Sequence, residues 1–139
     1  MIRLARDEDR TAVIALWEAC GLTRPWNDAA TDFARAVVGA GSDILVLELE
    51  GQLAATVMVG DDGHRGWVYY LAVDPDCREA GMGRRMMAAA ETWLRERDAP
   101  KIQLMVREDN GQTIGFYNAL GYEVQPVVTI GKRLDPESS

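Results

Sequence analysis

The sequence predicts a mixed α/β fold, in which a β-sheet packs against helices. Short β-branched and aromatic runs alternate along the chain with segments whose apolar residues recur at helical spacing. Two of the runs, Ile44–Glu50 and Leu53–Gly60, are separated by Gly51-Gln52, which is typical of an antiparallel hairpin. The 139 residues suffice for one buried core and are too few for two. We therefore expect a single domain over residues 1–139, with the order β-α-α-β-β-β-α-β-α-β.

In the first half of the chain, capping residues and glycines mark the ends of two helices. A short strand, Ile2–Ala5, precedes the first helix, which Asp7 or Asp9 caps and Gly21 terminates. The second helix is predicted from Ala29 to about Val38, where glycines stop it. The hairpin follows directly.

The second half of the chain alternates strands with helices. A strand over Trp67–Val73 leads through a turn into a helix from about Gly83 to Asp98, and Pro100 prevents its continuation. Lys101–Val106 reads as the next strand, and Asn110 can cap a short helix that ends near Leu120. The last segment, Tyr122–Leu134, is predicted to be mostly β-strand.

Composition excludes several classes of protein. A net charge of −7 argues against a nucleic-acid partner, which would require a basic face. Cys20 and Cys77 are far apart, so neither a disulfide scaffold nor a thiolate metal site is expected. The N-terminus has no signal-peptide pattern, and no apolar run approaches the ~20 residues needed to cross a bilayer. We expect a cytoplasmic protein without a metal, a membrane or a nucleic-acid partner.

The segment Arg78–Arg84 carries the strongest functional signal. It places glycines between a strand and a helix, where free amides and the helix dipole favour an anion. A P-loop is excluded because no Gly-Lys-Ser/Thr occurs. A dinucleotide fold fits poorly, since Met86 stands where its third glycine belongs and Lys101–Val106 supplies no acidic residue. Taken alone, a Gly-x-Gly pair here is more often just a tight turn.

The loop reads R-x-x-G-x-G, and with three further motifs it resembles the GNAT acyltransferases. The Leu71–Pro75 segment is similar to the L-A-V-x-P strand end of that family, and Asn110–Tyr117 to its N-x-x-A-x-x-[LF]-Y helix. Leu120–Tyr122 matches its L-G-[FY] strand entry. The element order agrees as well, so the resemblance spans nearly the whole chain. Residues 24–28 and 61–66 further resemble the bacterial YpeA-like branch of the family.

The resemblance implies an acetyl-CoA site. Backbone amides around Gly81 would hold the pyrophosphate, and the strand before the loop would pair with the pantetheine arm. The implied cofactor-binding residues are Leu71, Ala72, Val73, Arg78, Glu79, Ala80, Gly81, Met82, Gly83, Arg84, Asn110, Thr113, Phe116 and Tyr117. Glu79 departs from the family pattern, which usually has glycine there, and a carboxylate near a pyrophosphate is unfavourable.

Tyr117 is the implied catalytic residue, because the family places a tyrosine there to protonate the departing thiolate. The alternative is a core aromatic beside Phe116. Asn110 also has two interpretations. It caps the helix alone, or it caps the helix and also forms a hydrogen bond with the cofactor. Gly115 costs helix stability, and we expect it to permit close approach of the cofactor or of a neighbouring strand.

The general base is unassigned. At the two positions where many family members carry glutamate, this chain has Trp67 and Met105, and neither accepts a proton. The remaining candidates are a chain of water molecules or one of a set of polar side chains: Asp61, Asp62, His64, Tyr70 and Glu108.

The sequence therefore predicts an N-acetyltransferase that moves an acetyl group from acetyl-CoA directly to a primary amine in a ternary complex. The acceptor is a small molecule or a peptide, and a homodimer through the C-terminal strands is expected by analogy with the family. The alternative is an acyl-CoA-binding sensor or interaction module that has lost catalysis.

Overall fold

The structure, a computed structural model, describes residues 1–135 apart from the side chains of residues 78–80. It divides into two compact units, Met1–Leu104 and Met105–Ser139. The first contains β1 (Ile2–Leu4), α1 (Arg10–Ala19), α2 (Ala29–Val38), β2 (Ser42–Leu49), β3 (Gln52–Asp61), β4 (Gly66–Val73), α3 (Met82–Arg95) and β5 (Ile102–Gln103), with 3-10 turns at Asp7–Asp9 and Pro75–Ala80. The second contains α4 (Gly111–Ala119). The expected single domain stays a prediction.

The first unit is built on one mixed sheet with the strand order β1-β2-β3-β4-β5. The first four strands are antiparallel neighbours, and β5 runs parallel to β4. The predicted mixed α/β class is confirmed. In the described part of the chain, no helix is long and apolar enough to cross a membrane.

Helices cover both faces of the sheet. Ile44 and Val46 of β2 join the apolar cluster beneath α1 and α2, whose largest buried members are Trp17 and Phe33. The intervening residue Leu45 is also buried, and it points to the opposite face because side chains alternate along a strand. There α3 packs through its apolar side chains, which are Met82, Met86, Met87, Ala90, Trp93 and Leu94. This arrangement fixes where α3 begins relative to the end of β4.

Local signals placed most helix ends correctly. α2 begins at Ala29 as predicted, and Asp28 caps it, because its Oδ1 accepts hydrogen bonds from the amides of Ala30 and Thr31 at 3.0 and 3.2 Å. Asp9 does not cap α1 through its side chain; its carboxylate instead accepts two hydrogen bonds from the Arg3 guanidinium, at 2.8 and 3.0 Å. Asp9 Oδ2 also accepts a hydrogen bond from the Arg6 amide at 2.8 Å, so the carboxylate bonds to residues that precede it and not to the first amides of α1.

The β2–β3 hairpin forms one residue earlier than the sequence suggested. Its turn residues are Glu50 and Gly51, with φ of 52° and 80°. Two consecutive positive φ values define the turn type whose twist matches the flanking strands. Glu50 therefore adopts a left-handed conformation that the sequence pattern did not indicate.

Two predicted strands differ in the structure. Tyr122–Leu134 contains no strand within the described residues, and its Val124, Val128 and Ile130 side chains are exposed. β-branched residues form a strand only where a partner strand is available, and Pro126 lacks a ladder donor. The predicted strand Lys101–Val106 shortens to Ile102–Gln103. A homodimer through the C-terminal segment stays a prediction.

Candidate functional site

A β-bulge interrupts β4 immediately before the predicted loop. Ala72 pairs with Thr56 and Tyr69 with Met58, so Tyr70 and Leu71 together stand opposite Val57 alone. Tyr70 has a φ of 54°, which is rare for an aromatic residue. A bulge of this kind bends the strand and breaks its regular pairing.

The bulge coincides with a free strand edge. Within Met1–Leu104, β5 pairs with β4 only at Gly66 and Trp67. The stretch from Leu71 to Val73 therefore has no partner strand on that side in this unit. Ala72 is buried with the α1–α2 cluster, so only its backbone is available to a ligand. This is the segment that the sequence predicted for the pantetheine arm.

The N-terminus of α3 presents backbone amides with no side-chain cap. Gly81 is the N-cap residue in the left-handed conformation, with φ of 70°, and the first helical bond joins the Arg85 amide to the Gly81 carbonyl at 3.2 Å. The amides of Met82, Gly83 and Arg84 precede that bond and have no acceptor within the helix. Among the described side chains, none lies within 4 Å of a Cβ built at Gly81, and none caps these amides.

The side chains around this helix end are suited to the same ligand. Met82 is 2% exposed and belongs to the core, so it contributes only its amide. Arg84 is exposed, and none of the ion pairs found in the described residues involves it. The first turn of α3 contains no acidic residue. The predicted contacts of Arg78, Glu79 and Ala80 concern side chains that lie outside the described part of the chain.

In the second unit, Asn110 caps α4. Its Oδ1 accepts a hydrogen bond from the Thr113 amide at 3.2 Å, which confirms the capping role and leaves the cofactor contact a prediction. The close approach expected at Gly115, of a cofactor or of a neighbouring strand, stays a prediction.

Tyr117 is nine-tenths buried and makes edge-to-face contacts with Phe116 and Tyr122, at ring-centroid distances of 5.0 and 5.7 Å. Tyr117 therefore packs beside Phe116, as the alternative considered from the sequence proposed. Burial also raises the pKa of Tyr117 to about 12. The phenol is consequently protonated across the neutral range, which is the state that a proton donor requires.

Most candidate bases have structural partners. The Asp62 carboxylate accepts hydrogen bonds from the Arg65 and His64 amides and from the Trp67 indole, and these bonds hold its pKa below the usual range. Asp61 accepts a hydrogen bond from the Gly63 amide at 2.9 Å. These two carboxylates order the loop between β3 and β4. The indole contact also explains what Trp67 does at a position where the family carries glutamate.

Tyr70 is also unsuited to the role of base. Its hydroxyl donates to Asp32 Oδ2 at 2.6 Å, and burial together with that carboxylate raises the pKa of Tyr70. The exposed His64 ring lies beside the Arg65 guanidinium, with Nε2 2.6 Å from Nη2. Among the described residues, no group of histidine, cysteine, aspartate and glutamate side chains could hold a metal ion.

Three residues that support the bulge were not singled out from the sequence: Trp17, Asp32 and Thr56. The Trp17 and Tyr70 rings stack with centroids 3.8 Å apart, and Trp17 Nε1 donates to Thr56 Oγ1 at 3.0 Å. Thr56 Oγ1 donates in turn to the Tyr70 carbonyl at 3.1 Å. One signal was available, because Thr56 is a hydroxyl residue within an otherwise apolar stretch of β3.

A helix N-terminus beside a bulged strand edge suits an anionic ligand with an extended arm, and sequence comparison gives the class of the protein. The model of the acetyltransferase (GNAT) family matches residues 6–122. An acetyltransferase of Pectobacterium atrosepticum is 47% identical over 133 residues, covering 96% of this chain and 94% of the relative. The chain belongs to the GNAT acetyltransferase family, as its motifs suggested.

Solved structures agree on the fold. AAC(6')-Iy, in complex with the bisubstrate analogue CoA-S-monomethyl-acetylneamine, is 15% identical with a TM-score of 0.82 and covers 96% of this chain and 98% of its own. The ribosomal-protein-S18-alanine N-acetyltransferase of Escherichia coli is 25% identical with a TM-score of 0.75, and covers 87% of this chain and 76% of its own. The more specific resemblance to the YpeA-like branch stays a prediction.

Proposed function

We propose that this chain is an N-acetyltransferase that transfers the acetyl group of acetyl-CoA to a primary amine. The observation that carries the proposal is the uncapped N-terminus of α3, which follows the free edge of β4 in a chain of the GNAT family. The sensor alternative is not favoured, because the family and the curated relative are both acetyltransferases.

The residues present fit the donor. The pyrophosphate needs several hydrogen-bond donors and a positive field, and the amides of Met82, Gly83 and Arg84 supply both at the helix end. The exposed Arg84 guanidinium adds a charge-assisted contact. Backbone groups of Leu71–Val73 would bind the amide groups of the pantetheine arm as an added strand would.

When bound, acetyl-CoA supplies a thioester whose carbonyl carbon the amine attacks and whose sulfur departs as a thiolate. Tyr117 holds a proton on its hydroxyl oxygen at neutral pH and would donate it to the departing sulfur, then regain one from solvent. This role rests on the match to the family motif and on the protonated state of the buried phenol. The amine must attack in its neutral form, and after the attack its nitrogen releases one proton to water, which completes the proton balance without an assigned general base.

The acceptor is proposed only as a class. The Escherichia coli neighbour acts on the alanine of a ribosomal protein according to its name, and AAC(6')-Iy was solved with the bisubstrate analogue CoA-S-monomethyl-acetylneamine. Small-molecule and peptide amines are therefore the two classes to test. The net charge of −7 favours a cationic acceptor of either kind. A cytoplasmic location stays a prediction from the sequence.

The test measures binding and turnover separately. Acetyl-CoA should raise the melting temperature, and free thiol should appear when an amine from a panel of peptides, polyamines and aminoglycosides is added. Stabilisation without turnover across the whole panel would favour the sensor. A melting temperature unchanged at millimolar acetyl-CoA would refute the donor site.

A further inference from the structure

Tyr70 holds a backbone conformation that requires support. A non-glycine residue with positive φ is strained, and it persists only where the surrounding structure fixes it. Tyr70 has a φ of 54° and lies in the bulge of β4. The contacts that impose this conformation therefore also determine how β4 continues into Leu71–Val73.

The first support comes from β3 and α1. Thr56 is fully buried, and its hydroxyl links two groups by accepting from Trp17 Nε1 and donating to the Tyr70 carbonyl. Because the carbonyl at a bulge no longer has a regular ladder partner, the Thr56 hydroxyl satisfies a group that the bulge displaces. The Trp17 indole orients that hydroxyl, because the Thr56 oxygen accepts the indole N–H and the Thr56 proton then points to the Tyr70 carbonyl.

The second support comes from the Tyr70 side chain. Its ring stacks on Trp17, with an interplanar angle of 12°, and its hydroxyl donates to Asp32 on α2. The Tyr70 side chain is thus tied to both helices that cover this face. We refer to Trp17, Asp32 and Thr56 as the Tyr70 clamp.

We propose that Thr56 and Asp32, two members of the Tyr70 clamp, are positioning residues for the acyl-donor site and act through Tyr70. By fixing the bulge, they direct the backbone of Leu71–Val73 toward the pantetheine arm, while the amides at the start of α3 bind the pyrophosphate independently. This inference rests on the proposed function. The two halves of the proposed donor site are then fixed in different ways. The local structure of the helix end positions the α3 amides, whereas contacts from α1, α2 and β3 position the backbone of Leu71–Val73.

Hydrogen exchange measured by NMR tests the separation, with CoA as the probe. In the wild type, CoA should slow amide exchange at both Leu71–Val73 and Met82–Arg84. In Thr56→Val, which keeps the shape of the side chain and removes the hydroxyl, protection at Leu71–Val73 should fall about tenfold, because the bond to the Tyr70 carbonyl is lost together with the acceptor of the Trp17 indole. Protection at Met82–Arg84 should remain. Thr56→Ser, which restores the hydroxyl, should restore the wild-type pattern.

The outcomes are distinct. If CoA protects neither segment in the wild type, the proposed function fails. If it protects both segments equally in the wild type and in Thr56→Val, the clamp inference fails while the donor site stands. Equal loss at both segments in a folded Thr56→Val protein would also overturn the inference, because the effect would not be local.

Tyr70→Phe provides a second route if Thr56→Val does not fold. It removes only the bond to Asp32, whose half-buried carboxylate can be solvated, and keeps the stacked ring. We expect a selective but smaller loss of protection at Leu71–Val73, with a raised KM for acetyl-CoA and little change in kcat. Tyr70→Phe with wild-type protection and KM would exclude Asp32 from the positioning role.

Discussion

Replacing Gly81 by alanine tests the helix end directly. Gly81 has a φ of 70°, where an alanine costs about 1–2 kcal/mol, and its added Cβ would meet no atom within 4 Å. The cost to stability is therefore only that of the backbone conformation. For a chain of this size a loss of about 1 kcal/mol lowers the melting temperature by about 3–5 °C. The new methyl group would also occupy the space through which an anion approaches the α3 amides.

Gly51→Ala is the matched control. Gly51 has a φ of 80° in the β2–β3 turn, and a Cβ there likewise meets nothing within 4 Å. Both variants should lose similar thermal stability in calorimetry. Only Gly81→Ala should weaken CoA binding in isothermal titration, by about tenfold or more if one charge-assisted hydrogen bond to the pyrophosphate is lost. Equal CoA affinity in the two variants would refute the assignment of the α3 N-terminus as the pyrophosphate site.

Three other perturbations have defined outcomes. Tyr117→Phe should lower kcat by about 10²-fold or more and leave CoA affinity unchanged. Because the pKa of Tyr117 is about 12, the protonated phenol is lost only as the pH rises toward that value. The wild-type kcat should therefore show no alkaline decline caused by Tyr117 between about pH 7 and 10. Turnover by Tyr117→Phe at the wild-type rate would refute the assignment of Tyr117 as the proton donor. The Arg3 guanidinium holds the pKa of Asp9 below its usual range, so the ion pair stabilises the folded state fully above the pKa of the unfolded chain and loses that effect as the pH falls. The difference in melting temperature between wild type and Asp9→Asn should therefore begin to shrink below about pH 4. A difference independent of pH would contradict this. Gly66→Ala would place a Cβ 2.4 Å from both methyl carbons of the buried Leu94, so unfolding by urea should show a loss of about 1–3 kcal/mol, whereas an unchanged midpoint would mean that Leu94 repacks freely.

Much of the local structure around the proposed donor site could be predicted because it depends on short stretches of sequence. The cap formed by Asn110 needs only a side chain three residues from the amide it accepts, and the same holds for Asp28. The open helix end at Gly81 likewise follows from glycine in a strand-to-helix turn. These features lie within one turn of chain, so the residue types themselves define them.

The misjudged segments depend on distant partners. Tyr122–Leu134 has the side chains of a strand, but no strand forms there in the described residues because β propensity requires a neighbour to pair with. β5 is shorter than its sequence suggests, because it pairs with β4 only at Gly66 and Trp67, before β4 reaches the bulge at Tyr70 and Leu71. Neither outcome is encoded in the local pattern of side chains.

The sequence by itself determined the family and the strand–loop–helix order, and it predicted that the Gly81 turn binds an anion, because all three rest on short motifs of neighbouring residues. Only the tertiary structure decided how β4 is shaped before that turn. Tyr70 reaches its bulged conformation through Trp17 on α1, Asp32 on α2 and Thr56 on β3. These residues lie 14 to 53 positions from Tyr70 along the chain. Contacts over such separations exist only once the helices have packed on the sheet, which is why no pattern near Tyr70 predicts them.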